Sequence, residues 1–210
     1  MNHISSGDDK VSKTASAALS FLQKKLIKSN QFTFLDIGCG DGRDIDFLSS
    51  NLDNLIIRGI DISLKAIENA IELNSNKDNV IFERMDWKDL DDTQYDIICI
   101  SGVYHFFNIA DRNTFILKIK KILKANGFFF LSTLSSNDKQ YYGKGVSVKN
   151  DPNSFRSDFF IHFCSEEELW EDFKFLNIID LFEYFHKNYS KDTEYHTMWL
   201  LISKNANSTS

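Results

Sequence analysis

The 210-residue chain has a single proline, Pro152, and only nine glycines to serve every turn that needs unusual backbone angles. Its three cysteines, Cys39, Cys99 and Cys164, are odd in number and widely spaced. They form neither a disulfide framework nor a C-x2-C zinc pattern, so reduced thiols in a cytoplasmic protein are expected and no metal ligand is assigned. No apolar run reaches the roughly 18 residues of a transmembrane helix. The stretch Met1 to Lys10 is polar and acidic, without the basic-then-apolar pattern of a signal peptide. Positive charge is also short: 24 Lys and Arg against 30 Asp and Glu leave a net charge of −6. That balance disfavours a dedicated nucleic-acid binder, which neutralises phosphates with a basic field.

What is present is an alternation of apolar runs with helical spacing. One domain spanning 1–210 is expected. Its parts are an N-terminal helix (1–30), a ligand-binding core (31–134), an insert (135–164) and a C-terminal helix with a strand pair (165–204). Helices are expected over Val11–Lys28, Asp41–Leu52, from Ser63, over Asp111–Lys124 and from Ser165. Asn126-Gly127 is expected to stop the fourth helix, whose lysines 118, 120, 121 and 124 read as a solvated face. Strands are expected at Phe32–Ile37, Leu55–Ile60, Val80–Arg84, Tyr95–Ser101, Phe128–Thr133, Phe175–Phe185 and Glu194–Ser203. Leu134 to Cys164 shows no period and reads as a functional or irregular segment. The alternation implies an α/β fold, a doubly wound and mostly parallel sheet covered on both faces. Ligands of such sheets bind beyond the carboxyl ends of the strands.

The residues at those ends are chemically specific. Leu35-Asp36-Ile37-Gly38-Cys39-Gly40-Asp41-Gly42-Arg43 leaves a strand and enters a helix. The spacing is G-x-G-x-G, with Arg43 where a dinucleotide fingerprint has its third glycine. Asp36 would repel a pyrophosphate and favour a cationic ligand such as an amino-acid ammonium. Asp61, at the end of the second strand, can accept both ribose hydroxyls, and Ile62 can pack on a purine. Asp86 can accept from an exocyclic amine, and Trp87 can line an adenine pocket. An ammonium, a ribose and an adenine on successive strand ends describe S-adenosylmethionine (SAM).

At this point DIGCGDGR, GIDIS, RMDW and YDIICISGVYHFF, in this order and spacing, resemble the class I (Rossmann-like) SAM-dependent methyltransferases. The resemblance covers Phe32 to Thr133. It implies a seven-stranded sheet with an antiparallel last strand, and a cofactor surrounded by Asp36, Gly38, Gly40, Asp61, Asp86 and Ser101. Cys39, Arg43, Ile62, Trp87 and Val103 complete the candidate cofactor-binding set, Arg43 toward the carboxylate end. A looser likeness runs further. GCGDGRD, Gly143-Lys144-Gly145, HFCSEEEL and the closing Tyr195-His196-Thr197-Met198-Trp199 resemble bacterial small-molecule methyltransferases of the tellurite-resistance and thiopurine type.

Methyl transfer from a sulfonium needs proximity and alignment more than a covalent intermediate. A base is required only when the acceptor binds protonated. Candidate catalytic residues are His105 and Tyr104, just after the fourth strand, and His196 in the last strand; His162, near the end of the insert, reads first as a structural histidine. The fourth-strand motif lacks the Asn/Asp-Pro-Pro-aromatic pattern and is not followed by Pro-Cys, which disfavours amide or base-nitrogen chemistry and cytosine C5 chemistry. Tyr141, Tyr142, Phe155, Phe159, Phe160 and Phe163 make the insert aromatic, which suits a lid over an apolar acceptor pocket. The expectation is a SAM-dependent methyltransferase yielding S-adenosylhomocysteine and acting on O, N or S of a small molecule. The alternatives are a SAM-binding protein without turnover, or a protein or RNA methyltransferase using a basic track through Lys139, Lys144, Lys149 and Arg156.

Overall fold

The computed structural model describes residues 11–25, 30–187 and 195–206. The expected first-helix end at Lys28, the polar opening decapeptide, the link from Asn188 to Glu194 and the tail beyond 206 lie outside them.

Five strands alternate with helices in the order expected. They are β1 (Phe32–Ile37), β2 (Leu55–Asp61), β3 (Val80–Arg84), β4 (Tyr95–Ser101) and β5 (Leu123–Leu134). The helices are α1 (Lys13–Lys25), α2 (Arg43–Asn51), α3 (Leu64–Leu73) and α4 (Ile109–Ile122). Three short strands follow, β6 (Val146–Ser147), β7 (Ser154–Arg156) and β8 (Phe160–His162), and then α5 (Glu166–Asp172), β9 (Asn177–Lys187) and β10 (Tyr195–Lys204). The main sheet has seven strands in the order β3-β2-β1-β4-β5-β10-β9. β1 to β5 pair in parallel, and β10 runs antiparallel between β5 and β9. The mostly parallel sheet with an antiparallel last strand is therefore present.

The run YDIICIS in β4 explains itself through the two cores. Ile98 and Ile100 pack with Phe115, Ile119 and Leu169 from α4 and α5. Ile97 and Cys99 pack on the other face with Ala18, Leu22, Ile45 and Ile67 from α1, α2 and α3. A strand covered on both faces has no polar side, so its sequence does not alternate.

Three expectations change. Asn126-Gly127 does not stop α4. The helix ends at Ile122, where Asn205 Nδ2 donates to the Leu123 and Lys124 carbonyls at 3.1 and 3.2 Å. Asn126, at φ 63°, instead turns the opening of β5, where pairing with β4 shifts register. The lysine face is also partly engaged: Lys118 Nζ donates to the Leu90 carbonyl at 2.6 Å, and Lys124 meets Asp96 at 2.8 Å. The insert is not irregular either. β6, β7 and β8 form an antiparallel three-stranded sheet. Its inner side chains, Phe155, Ile161, Phe163 and Tyr141, pack with Leu134 and Met198. Strands of two or three residues are too short to show a period.

The insert is pinned to the body. Arg112 of α4, buried, donates to Asp151 Oδ1 at 2.8 Å and to the Phe107 carbonyl at 3.0 Å, while Asp151 Oδ2 accepts from Ile109 N at 2.9 Å. Asp138, 1% exposed, accepts from the amides of Gln140, Tyr141 and Thr197 and so ties the start of the insert to β10.

Candidate functional site

Sheet order brings the exits of β1, β2 and β4 side by side, because β1 lies between the other two. Gly38 has φ 75°, and a Cβ there would come within 2.3 Å of Val103 Cγ2. Only glycine fits both the backbone and that contact. The loop is stitched over β2 by Gly38 N and Cys39 N, which donate to the Ile60 carbonyl at 2.8 and 3.0 Å. Gly40, by contrast, faces open space.

A pocket of about 240 Å³ opens here. Of the sequence candidates, Asp36, Gly38, Cys39, Gly40, Arg43 and Ser101 line it. Asp61 joins them through its carboxylate: Oδ2 accepts from Gly40 N at 3.0 Å, and Oδ1 accepts from Ser63 N at 2.8 Å. Ser101 Oγ is within hydrogen-bond distance of Thr14 Oγ1 (3.1 Å) and Ser132 Oγ (3.2 Å). Arg43 Nε pairs with Asp41 at 2.8 Å, rather than with an acid on its own helix.

The electrostatics are one-sided. Asp36 is 4% exposed, and burial, then Asp44 and Asp61, hold its pKa well above the usual carboxylate value. Among the described residues no cation or hydrogen-bond donor meets that carboxylate. Burial and the nearby Asp36 and Asp61 also push the Cys39 thiol up, so it is no nucleophile. A buried carboxylate beside two further acids and an open glycine loop is a cradle that a cationic ligand completes. SAM would fit it, with its ammonium held by Asp36 and its ribose by Asp61.

The remaining candidates are placed differently. Ile62 is 69% exposed beyond β2. Asp86 caps the 3-10 turn Trp87–Asp89 by accepting from Lys88 N at 3.0 Å. Trp87 is buried against Phe107 and Phe115, with ring centroids 5.1 and 5.2 Å away. Tyr104 has no exposed surface, and its hydroxyl donates to Asp172 at 2.8 Å. It sits in the core under α5, not at a mouth where an acceptor could reach it. His105 is buried in the 3-10 turn Tyr104–Phe106 with Nδ1 unpartnered. Burial, with His196 and His162 nearby, pushes its pKa down to about 3, so the ring is neutral. His196 lies directly opposite His186 and stacks on Tyr141 at 4.5 Å.

Besides Val11 and Asp41, three pocket contributors escaped the sequence reading. Ser12 N donates to Asp44 Oδ1 at 2.8 Å, which brings the residues before α1 onto the loop. Asp44 was legible only as a neighbour of Arg43. His186, from β9, carries no local motif and reaches the pocket through sheet order alone.

Known proteins resemble this chain in sequence and fold. A family model described as "Methyltransferase domain" matches residues 35–129. Cyclopropane-fatty-acyl-phospholipid synthase of Escherichia coli (strain K12) is 30% identical over 128 residues, covering 61% of this chain and 33% of that protein. The chain thus spans about a third of that curated relative. Among solved structures, a SAM-dependent methyltransferase from Methanosarcina mazei superposes with TM-score 0.74 at 18% identity, covering 88% of this chain and 96% of that one. TehB from Haemophilus influenzae gives TM-score 0.69 at 15% identity, over 90% and 62% of the two chains. Residues 35–129 thus match a methyltransferase domain, and the fold built around them is the one shared with the SAM-dependent methyltransferase from Methanosarcina mazei and with TehB.

Proposed function

We propose that the chain moves a methyl group from SAM to an O, N or S atom of a small, partly apolar acceptor. The observation that carries this reading is the buried Asp36 carboxylate, held against Asp44 and Asp61 beside an open glycine loop. When bound, SAM supplies an activated sulfonium methyl group. The chain's own residues then have four tasks. Asp36 neutralises the ammonium, Asp61 accepts from the ribose hydroxyls and fixes Gly40, Ser101 lines the β4 exit, and Arg43 turns from Asp41 toward a carboxylate.

His105 orients the acceptor. Its ring is neutral, and its unpartnered Nδ1 can accept a hydrogen bond from an O–H or N–H group of an acceptor. Phe106 and Phe159, half-exposed with ring centroids 6.4 Å apart, offer an apolar surface beside it. The name of the E. coli relative speaks of a fatty-acyl phospholipid, which supports an apolar acceptor. Held by Arg112–Asp151, the insert acts as a preformed wall over the site.

Incubating the protein with methyl-labelled SAM and a fractionated metabolite extract should label one low-molecular-weight fraction. His105→Ala should lower that turnover about 100-fold by misplacing the acceptor, while leaving cofactor affinity within about twofold. Binding without any labelled product would favour a non-catalytic SAM sensor. Label confined to added protein or RNA would overturn the small-acceptor reading.

A further inference from the structure

A second site of different chemistry lies under the insert. His162 ends β8, Cys164 follows it, and Glu168 stands in the first turn of α5, a compact H-x-C-x3-E spacing. Their ligating atoms lie within 4.8 Å of one another. His162 and Cys164 have no exposed surface, and the Glu168 side chain is 23% exposed, enough to reach solvent. We propose that His162 Nε2, Cys164 Sγ and Glu168 bind one Zn2+ ion, which clamps the insert to α5.

The imidazole carries the inference. Its Nδ1 lies 2.8 Å from Ser154 Oγ. When Nδ1–H donates to that hydroxyl, Nε2 keeps its lone pair for a metal. Metal-binding histidines are held in their tautomer in this way. Nε2 is buried and has no hydrogen-bond partner. Glu168 Oε1 is only 2.8 Å from it, yet outside hydrogen-bond geometry. A protonated imidazole paired with this carboxylate would aim its N–H at the oxygen. Two acceptors at that distance without a bridging proton call for a cation between or beside them.

Cys164 supplies the third donor and is held in place by its backbone. Its amide donates to the Leu134 carbonyl at 2.9 Å, and its carbonyl accepts from Ser136 N at 2.8 Å and Trp199 Nε1 at 3.0 Å. Thr133 Oγ1, 3.8 Å from Sγ, can donate to a thiolate. Binding breaks the S–H bond, forms a Zn–S bond and releases the proton to solvent. Charge then balances: thiolate and carboxylate cancel the divalent ion, and Arg112, 3.4 Å from Glu168, is already neutralised by Asp151 at 2.8 Å. A mixed N, S and O donor set suits zinc, which has no directional preference from its d electrons.

Cobalt(II) reports such a site directly, and the test needs no methyl acceptor. Titrating the full chain with Co2+ should give a thiolate-to-cobalt charge-transfer band that saturates at equimolar metal and that Zn2+ displaces. Cys164→Ser should abolish the band. Ser154→Ala, which keeps every ligand, should weaken Zn2+ binding about 10- to 100-fold. Circular dichroism of both variants verifies folding, and if Cys164→Ser does not fold, the Ser154→Ala affinity decides. No charge-transfer band in the native chain, a band that survives Cys164→Ser, or unchanged affinity in Ser154→Ala would each overturn the proposal and leave a buried His–Glu ion pair.

Discussion

Asp36 is ionised in water at neutral pH, but folding places it where ionisation is costly. The sign of that effect gives a test. Its folded pKa stands above the unfolded value near 3.8, so its contribution to stability is fully present below that pH and is lost as pH rises. Asp36→Asn should therefore raise the melting temperature of the ligand-free protein at pH 7 while weakening SAM binding at least tenfold. Scanning calorimetry with and without SAM reads both; a destabilised ligand-free variant would contradict the electrostatic account. Tyr104 lies at the opposite extreme, wholly buried and bonded to Asp172. Tyr104→Phe should cost about 1–2 kcal/mol in urea unfolding by stranding that carboxylate, and should leave affinity for S-adenosylhomocysteine unchanged. The residue types at the strand ends were legible because each acid follows an apolar run. The burial of Tyr104 and Trp87 was not, because it depends on α4 and α5 covering that side of the sheet.

At the scale of elements, the insert is the part that sequence reading misjudged. Its strands are short, and its order comes from contacts distant in sequence: Arg112 to Asp151, Asp138 to Thr197, and Phe155 and Phe163 to Leu134 and Met198. Arg112→Ala leaves Asp151 buried and uncompensated. It should cost about 3–5 kcal/mol, the range for breaking a buried pair, measured by denaturant unfolding. A loss under about 1 kcal/mol would mean that the insert stands without its pin. The α4 end teaches the same lesson. Asn126-Gly127 carries the ordinary signal of a helix stop, but the Asn205 side chain takes the last carbonyls and frees Asn126 to turn the strand. Strands β1 and β4 were readable because burial on both faces writes a continuous apolar run.

For the whole molecule, topology does what no local motif can. Placing β1 between β2 and β4 gathers Asp36, Asp61 and Ser101 from positions 65 residues apart, and folding β9 back beside β10 brings His186 to the same pocket. Three acids, Asp36, Asp41 and Asp44, face that cavity against the single cation Arg43. A cationic cofactor portion follows from that field. Titration calorimetry of S-adenosylhomocysteine into the native chain and into Asp61→Ala tests the central claim most directly. The account expects equimolar binding to the native chain and a loss of about 10- to 100-fold in the variant, which removes the acceptor for the ribose and for Gly40 N. No binding to the native chain, or equal affinity in the two, would contradict it.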